Sequence, residues 1–230
     1  MARKYLFIKT IRLLLMVRTP GIIYKISSYQ EYSKLVFIYT PEGKKTLIAK
    51  GCQMIINPYR IWIEYLNLIE FENKQNSLFL VLNKAFLLNN YKNIKKDYIN
   101  IKKASLILEL IDKTIDSHDN HLPHDVIFQE VLKALQFIQT GYLSFALRLL
   151  NFLGYKINFN SLLLKSKIII DVQSDFNLKE NNNLSDVQIK KLSLLRSSYD
   201  IQEIKEKLPI LNFIYYYYEF YLDIKLQNLY

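Results

Sequence analysis

Cys52 is the single cysteine in a chain of 230 residues. One thiol permits no internal disulfide and no cysteine-rich zinc site, and it suits a reducing cytoplasm. No histidine lies near it in sequence, so Cys52 is expected to pack at the end of a strand rather than act as a nucleophile. Histidine is almost as scarce. All three, His118, His121 and His124, fall within seven residues, beside Asp116, Asp119 and Asp125. Imidazole and carboxylate are proper metal ligands. However, Pro123 interrupts the segment, and a polar loop between helices accounts for the same residues. Glycine and proline number five each. There is no Gly-rich phosphate loop, no Gly-x-Ser-x-Gly elbow and no His-Glu-x-x-His. Glu31 and Glu64 have no evident partner for acid–base work. The sequence supports no enzymatic activity, and no cofactor or metal is expected.

A long apolar run is missing as well. Met1–Val17 starts basic and turns apolar, but Lys9 and Arg12 interrupt it, and only Leu13–Val17 is continuous. That is far short of the ~20 residues of a membrane span, and no small-residue cleavage site follows. An amphipathic helix lying on a membrane surface is the alternative for this segment.

What is abundant is lysine, 25 of the 31 basic residues, together with isoleucine, asparagine and tyrosine. An AT-rich genome favours those residues whatever the function, so the net charge of +10 says less than its distribution. Residues 1–110 hold 18 Lys and Arg against 7 Asp and Glu, net +11; residues 111–230 hold 13 against 14, net −1. Codon bias acts on both halves equally. The asymmetry therefore points to a polyanion met by the first half.

That half carries the strand signals. Gly21–Ile26 runs to Ser27-Ser28, Leu35–Tyr39 to Thr40-Pro41-Glu42-Gly43, and Lys45–Lys50 to Gly51. Ile, Val, Tyr, Phe and Thr dominate these runs, as pleated, half-buried surfaces require. In Pro41-Glu42-Gly43, Pro presets φ and Gly accepts the positive φ that closes a tight hairpin. After a loop, Gln53–Pro58, the apolar runs Ile61–Phe71 and Leu78–Leu88 read as strands four and five, with Glu72–Ser77 as a polar link. Trp62 is expected in the core. Five short strands ahead of a helical remainder match a Greek-key barrel of the OB kind.

Helical periodicity follows. Ile101, Ala104, Leu108 and Ile111 share one stripe, and Val126, Val131, Leu135 and Ile138 share another. Gly141 and Gly154 stand where helix C-caps are expected, with an apolar helix Leu143–Leu153 between them. Asn181-Asn182-Asn183 marks a loop, and Ser185 is a good N-cap for a helix through Ser197. Pro209 allows a last helix, Ile210–Leu226, whose Tyr215–Tyr218 run is too bulky to face solvent throughout. The expected fold is α+β: an extension over residues 1–17, a five-stranded OB-fold barrel over 18–90 and an all-α domain over 91–230.

Basic and aromatic residues interleave in the barrel: Tyr24, Lys25, Tyr29, Tyr32, Lys34, Tyr39, Lys44, Lys45 and Lys50. Aromatic platforms beside a cationic groove are how OB folds hold single strands, with stacking worth roughly 1–3 kcal/mol per base. Tyrosines that pack and lysines that solvate a face would give the same pattern.

Gly21-Ile22-Ile23-Tyr24-Lys25 is followed by Tyr29-x-Glu31-x-x-Lys34-Leu35-Val36, by Thr40 with Gly43-Lys44, and by Ala49-Lys50-Gly51. The order and spacing of these short motifs resemble those of the bacterial recombination mediator family RecO. Ile56-Asn57-Pro58-Tyr59 looks like the segment that opens the family's fourth strand. Lys96-Asp97-Tyr98 with Ala104–Asp112, Leu149–Tyr155 and Tyr217–Leu222 resemble its helical domain. Two departures stand out. Lys156–Glu180 lacks the four-cysteine zinc module that many members carry, and Cys52-Gln53-Met54-Ile55 replaces the family's basic loop.

The resemblance implies a cytoplasmic, nucleoid-associated protein without catalysis. It would bind single- and double-stranded DNA, anneal complementary strands and, with RecR, help RecA displace single-strand-binding protein. The acidic C-terminal tail of that protein would dock on the helical half, and no membrane would be involved. With the basic loop replaced, phosphate contacts are expected at Lys25, Lys34, Lys44, Lys45, Lys50 and Arg60, with Tyr24 and Tyr39 as ring partners. A protein-interaction scaffold that binds no DNA is the rival reading. The resemblance begins at about Met16, which looks like a family start, so Met1–Leu15 is expected to be an annotation extension.

Overall fold

The computed structural model describes residues 18–74, 80–157, 185–199 and 207–227. The expectations for Met1–Val17, for the remainder of the Glu72–Ser77 link, for most of Lys156–Glu180 and for Asn181–Asn183 lie outside these residues. The chain divides into two compact units, Met1–Tyr91 and Lys92–Tyr230.

The first unit is a closed barrel of five strands in the order β1-β2-β3-β5-β4. The strands are β1 Thr19–Tyr29, β2 Ser33–Thr40, β3 Gly43–Ala49, β4 Leu68–Lys74 and β5 Leu80–Asn89. β3 and β5 pair in parallel through Leu47↔Leu80 and Ile48↔Val81. β1 closes the barrel against β4 through Thr19↔Phe71 to Ile22↔Leu68. This is the OB order of strands. The hairpin at Pro41-Glu42-Gly43 forms as its residues require: Thr40 pairs with Gly43, and Gly43 takes a φ of 104°. Ile23, Val36, Ile38, Leu47, Ala49, Cys52, Ile63, Ile69, Phe71 and Ala85 make the core. Cys52 sits just past β3, and burial pushes its thiol up, against the opposing pull of Lys34.

Two strand boundaries differ from the sequence reading. Ser27-Ser28 is not a turn; β1 continues through it, with Ser27↔Leu35 and Ser28↔Lys34. The reversal comes at Gln30, whose φ of 52° does the work expected of a turn residue. The fourth strand does not start at Ile61. Asn57 Oδ1 accepts from Tyr59 N at 2.9 Å and starts a 3-10 turn, Pro58–Ile61. Leu66 has a φ of 68°, and Asn67 Nδ2 donates to the Trp62 carbonyl at 2.9 Å. The apolar residues before Leu68 thus form a compact plug. Ile63 and Leu66 are buried, each worth about 1.5–3 kcal/mol of transfer free energy. Trp62 and Tyr59 are partly buried against the core.

The second unit is helical: α1 Lys92–Lys95, α2 Tyr98–Thr114, α3 His124–Gln136, α4 Ile138–Phe152, α5 Asp186–Ser197 and α6 Lys207–Leu222. Asp97 caps α2 by accepting from Ile99 N at 2.9 Å. Ser185 caps α5 in a reciprocal box with Gln188, which satisfies two otherwise orphaned donors. α3 turns Ile127, Phe128, Val131, Ala134 and Leu135 inward, and Val126 outward. Gly141 is not a C-cap but lies inside α4. A Cβ there would meet the Ala134 carbonyl oxygen at 2.3 Å, so glycine is what lets α3 and α4 approach closely. Gly154 follows the end of α4 with a φ of 89°, as a C-terminal cap requires. On α6, Tyr217 and Tyr218 are buried and Tyr216 is exposed. Among the described residues no helix is long and apolar enough to cross a membrane.

Candidate nucleic-acid interface

The basic and aromatic residues of the barrel separate into groups with different environments. The first forms around an irregularity in β1. Register with β2 shifts between Ile23↔Ile38 and Lys25↔Phe37, so Tyr24 is the extra residue of a bulge. Bulges bend a strand and re-aim side chains. Here the Tyr24 ring comes to lie 6.3 Å from that of Phe37, tilted by 53°. The Lys25 ammonium sits 5.5 Å from the Phe37 centroid, and that of Lys44, from β3, sits 5.4 Å from the Tyr24 centroid. Both are within reach of the ring quadrupole, an attraction of about 0.5–1 kcal/mol at exposed sites. Three strands thus deliver two cations and two rings to one cluster.

The second group surrounds the plug. Lys34 Nζ donates to the Ile63 carbonyl at 3.2 Å. Together with Arg60 it lines an open cleft of about 610 Å³, whose walls include Asn57, Pro58, Ile55, Ile61 and Glu64. Asn57 Nδ2 reaches the carbonyl of the exposed Lys50 at 3.4 Å. Around it Ile55 and Ile56 are each 85% exposed and Ile61 67%. Glu64 places a negative charge in the cleft, which offsets part of the local positive potential.

Lys45 stands apart from both groups. It forms an ion pair with Glu42 at the tip of the β2–β3 hairpin. Tyr39, paired with Ile22 and Lys44 in the sheet, is completely buried. It therefore presents no ring to a base and leaves the list of stacking residues. Arg18 is also committed: it lies 3.2 Å from Glu72 and 3.6 Å from Glu70, with its guanidinium 4.5 Å from the Phe86 centroid.

The chain matches no protein-family model and no curated protein.

Sequence reasoning missed Phe37. The signal was present: Val36 and Ile38 alternate into the core, and Phe37 between them belongs on the outer face. In the helical unit, the Asp- and His-rich segment makes several local contacts. Asp116 accepts from His118 N at 3.3 Å, Asp119 from His121 N at 3.0 Å, and His124 Nε2 lies 2.6 Å from the Asp119 carbonyl. Among the described residues no three His, Cys, Asp or Glu side chains converge to hold a metal. The strongest buried polar group of this unit was also unforeseen. Glu130 Oε2 accepts from Tyr199 Oη at 2.5 Å and from Arg148 at 2.6 Å, while Oε1 accepts from Lys133 at 3.3 Å. Burial pushes the Glu130 carboxyl up, but the hydrogen bonds from Tyr199 and Arg148 outweigh it and hold the group below its ordinary value. These bonds tie α3 and α4 to Tyr199, which follows α5.

Proposed function

We propose that the chain is a non-catalytic DNA-binding protein of the RecO kind, whose barrel binds single- and double-stranded DNA. The observation that carries this is the cluster of Lys25 and Lys44 over Phe37 and Tyr24 on one face of an OB-ordered barrel. A cationic barrel face neutralises phosphates and releases condensed counterions. It also relieves the repulsion between two strands held near each other, which strand annealing needs. The order of the units, barrel first and helices after, is the order the RecO resemblance implies. On that resemblance rest the finer parts of the proposal: annealing, cooperation with RecR, loading of RecA on strands coated by single-strand-binding protein, and contact with that protein's acidic tail. The near-neutral charge of residues 111–230 suits protein contacts.

The test is the equilibrium affinity of the full chain for a fluorescent single strand, measured across salt concentrations. Several phosphate contacts require log K to fall steeply with log salt. Absence of binding at low salt, or binding flat in salt, would overturn the proposal. One observation favours a protein-binding scaffold instead: Ile55 and Ile61, which line the cleft of Lys34 and Arg60, stand exposed, as does the neighbouring Ile56. Contiguous exposed apolar groups of this kind mark contact surfaces. A chain that binds no strand but retains a protein partner through this loop would support that alternative.

A further inference from the structure

The aromatic residues of the cationic cluster are not placed as OB stacking platforms. Tyr39 is 0% exposed and Tyr24 7%. The Phe37 ring, partly exposed, carries the ammonium of exposed Lys25, and the Tyr24 ring carries that of Lys44. A base stacking on the side of either ring that faces its lysine would have to displace a cation that the ring attracts. The rings themselves are tilted 53° to each other at 6.3 Å, which leaves no parallel slot for a base to enter.

From this geometry we infer that the barrel face recognises the phosphodiester backbone itself, with Tyr24 and Phe37 serving as seats that hold the Lys44 and Lys25 ammonium groups in position. Phe37 and Tyr24 are then positioning residues and the lysines make the contacts. The inference rests on the nucleic-acid reading above and deepens it by naming the ligand class: a polyanionic sugar–phosphate chain, whatever bases it bears. It follows physically that single strands of any sequence, duplexes and strands stripped of their bases present the same target. A site built on stacking would instead depend on each base it covers.

The experiment compares two labelled strands of about 20 nucleotides, longer than the ~4–16 that one OB fold covers. One is oligothymidine, the other an abasic phosphodiester strand of equal length. Fluorescence anisotropy with the full chain gives the two affinities at low salt. The expected result is a ratio within about 3-fold, because stacking of even one base would contribute roughly 5- to 150-fold. Phe37→Leu, which keeps the site apolar but removes the seat, is expected to weaken both strands by the same factor. Lys25→Gln and Lys44→Gln, on the outer face, supply the same comparison should Phe37→Leu disturb the barrel, which circular dichroism detects; each is expected to weaken both strands equally. An abasic strand bound tenfold or more weakly than oligothymidine would overturn the inference while leaving the nucleic-acid reading intact, as would a Phe37→Leu effect confined to oligothymidine. Failure of both strands to bind would overturn both.

Discussion

Replacement of Glu130 by glutamine is expected to destabilise the helical unit by about 3 kcal/mol. The carboxylate is buried, and its Oε2 is shared between the Tyr199 hydroxyl and the Arg148 guanidinium. Breaking a buried ion pair costs about 3–5 kcal/mol because the surviving charge is left without a partner. Two features place this case at the low end. The Arg148 side chain keeps 21% exposure, so water reaches part of it, and an amide oxygen can still accept one of the two hydrogen bonds. Lys133 contributes little, since its side chain is 54% exposed and exposed pairs are worth about 0–1 kcal/mol. Among the described residues the Arg148 Nε is already buried without a hydrogen bond, and the guanidinium lies 4.3 Å from the Tyr199 ring centroid.

Urea unfolding followed at 222 nm, where helices dominate, reads the effect. With a slope of ~2 kcal/mol/M the midpoint falls by about 1.5 M. Acidity provides a second arm. The folded carboxyl sits below its unfolded value, so its contribution is fully present above the unfolded pKa of about 4.3 and is lost as pH falls through the folded value. The stability gap between wild type and Glu130→Gln is therefore expected to narrow as the solution is made more acid than pH ~4. A loss below ~0.5 kcal/mol at neutral pH, or a gap independent of acidity, would mean that the Glu130 charge does not hold the helices together.

Three further outcomes follow from single residues. Gly141→Ala is expected to cost about 1–3 kcal/mol or more by overpacking, because its Cβ meets backbone at Ala134 rather than a movable side chain; thermal unfolding measures it. Lys44→Ala is expected to weaken strand binding several-fold more than Lys45→Ala, since Lys45 already pairs with Glu42; anisotropy titration ranks the two. Cys52, buried at 1% exposure with its thiol pushed up by burial, is expected to resist alkylation in the folded chain and react promptly in denaturant, which mass spectrometry follows with time.

The barrel was legible because its signals are local. Pro41-Glu42-Gly43 encodes a hairpin in three residues, and the β-branched runs on either side leave little else for the chain to do. The errors fall where one pattern serves two structures. Ile61–Phe71 is an apolar run, and nothing in its composition separates a strand from a plug; the decision lies with Asn57 and Asn67, whose side chains bind backbone and fold the segment back. Gly141 looks like a helix end from sequence, whereas its role is set by Ala134 on a neighbouring helix. At the candidate site the lysines were visible, but their inequality was not. Lys45 and Lys44 are adjacent in sequence, yet strand alternation sends one to Glu42 and the other to the Tyr24 ring. The bulge that brings Tyr24 toward Phe37 arises from pairing, and no residue type announces it.

Lys25 and Lys44 are proposed to hold a nucleic-acid strand by its phosphates, and the salt dependence of single-strand affinity reads those contacts. Wild type and the Lys25→Ala/Lys44→Ala double variant are titrated side by side over a range of salt. Each phosphate contact to a single strand contributes about −0.7 to the slope of log K against log salt. Losing two contacts is therefore expected to make the slope shallower by about 1.4, with weaker binding at every salt concentration. A double variant with the wild-type slope and affinity would show that neither lysine contacts a phosphate.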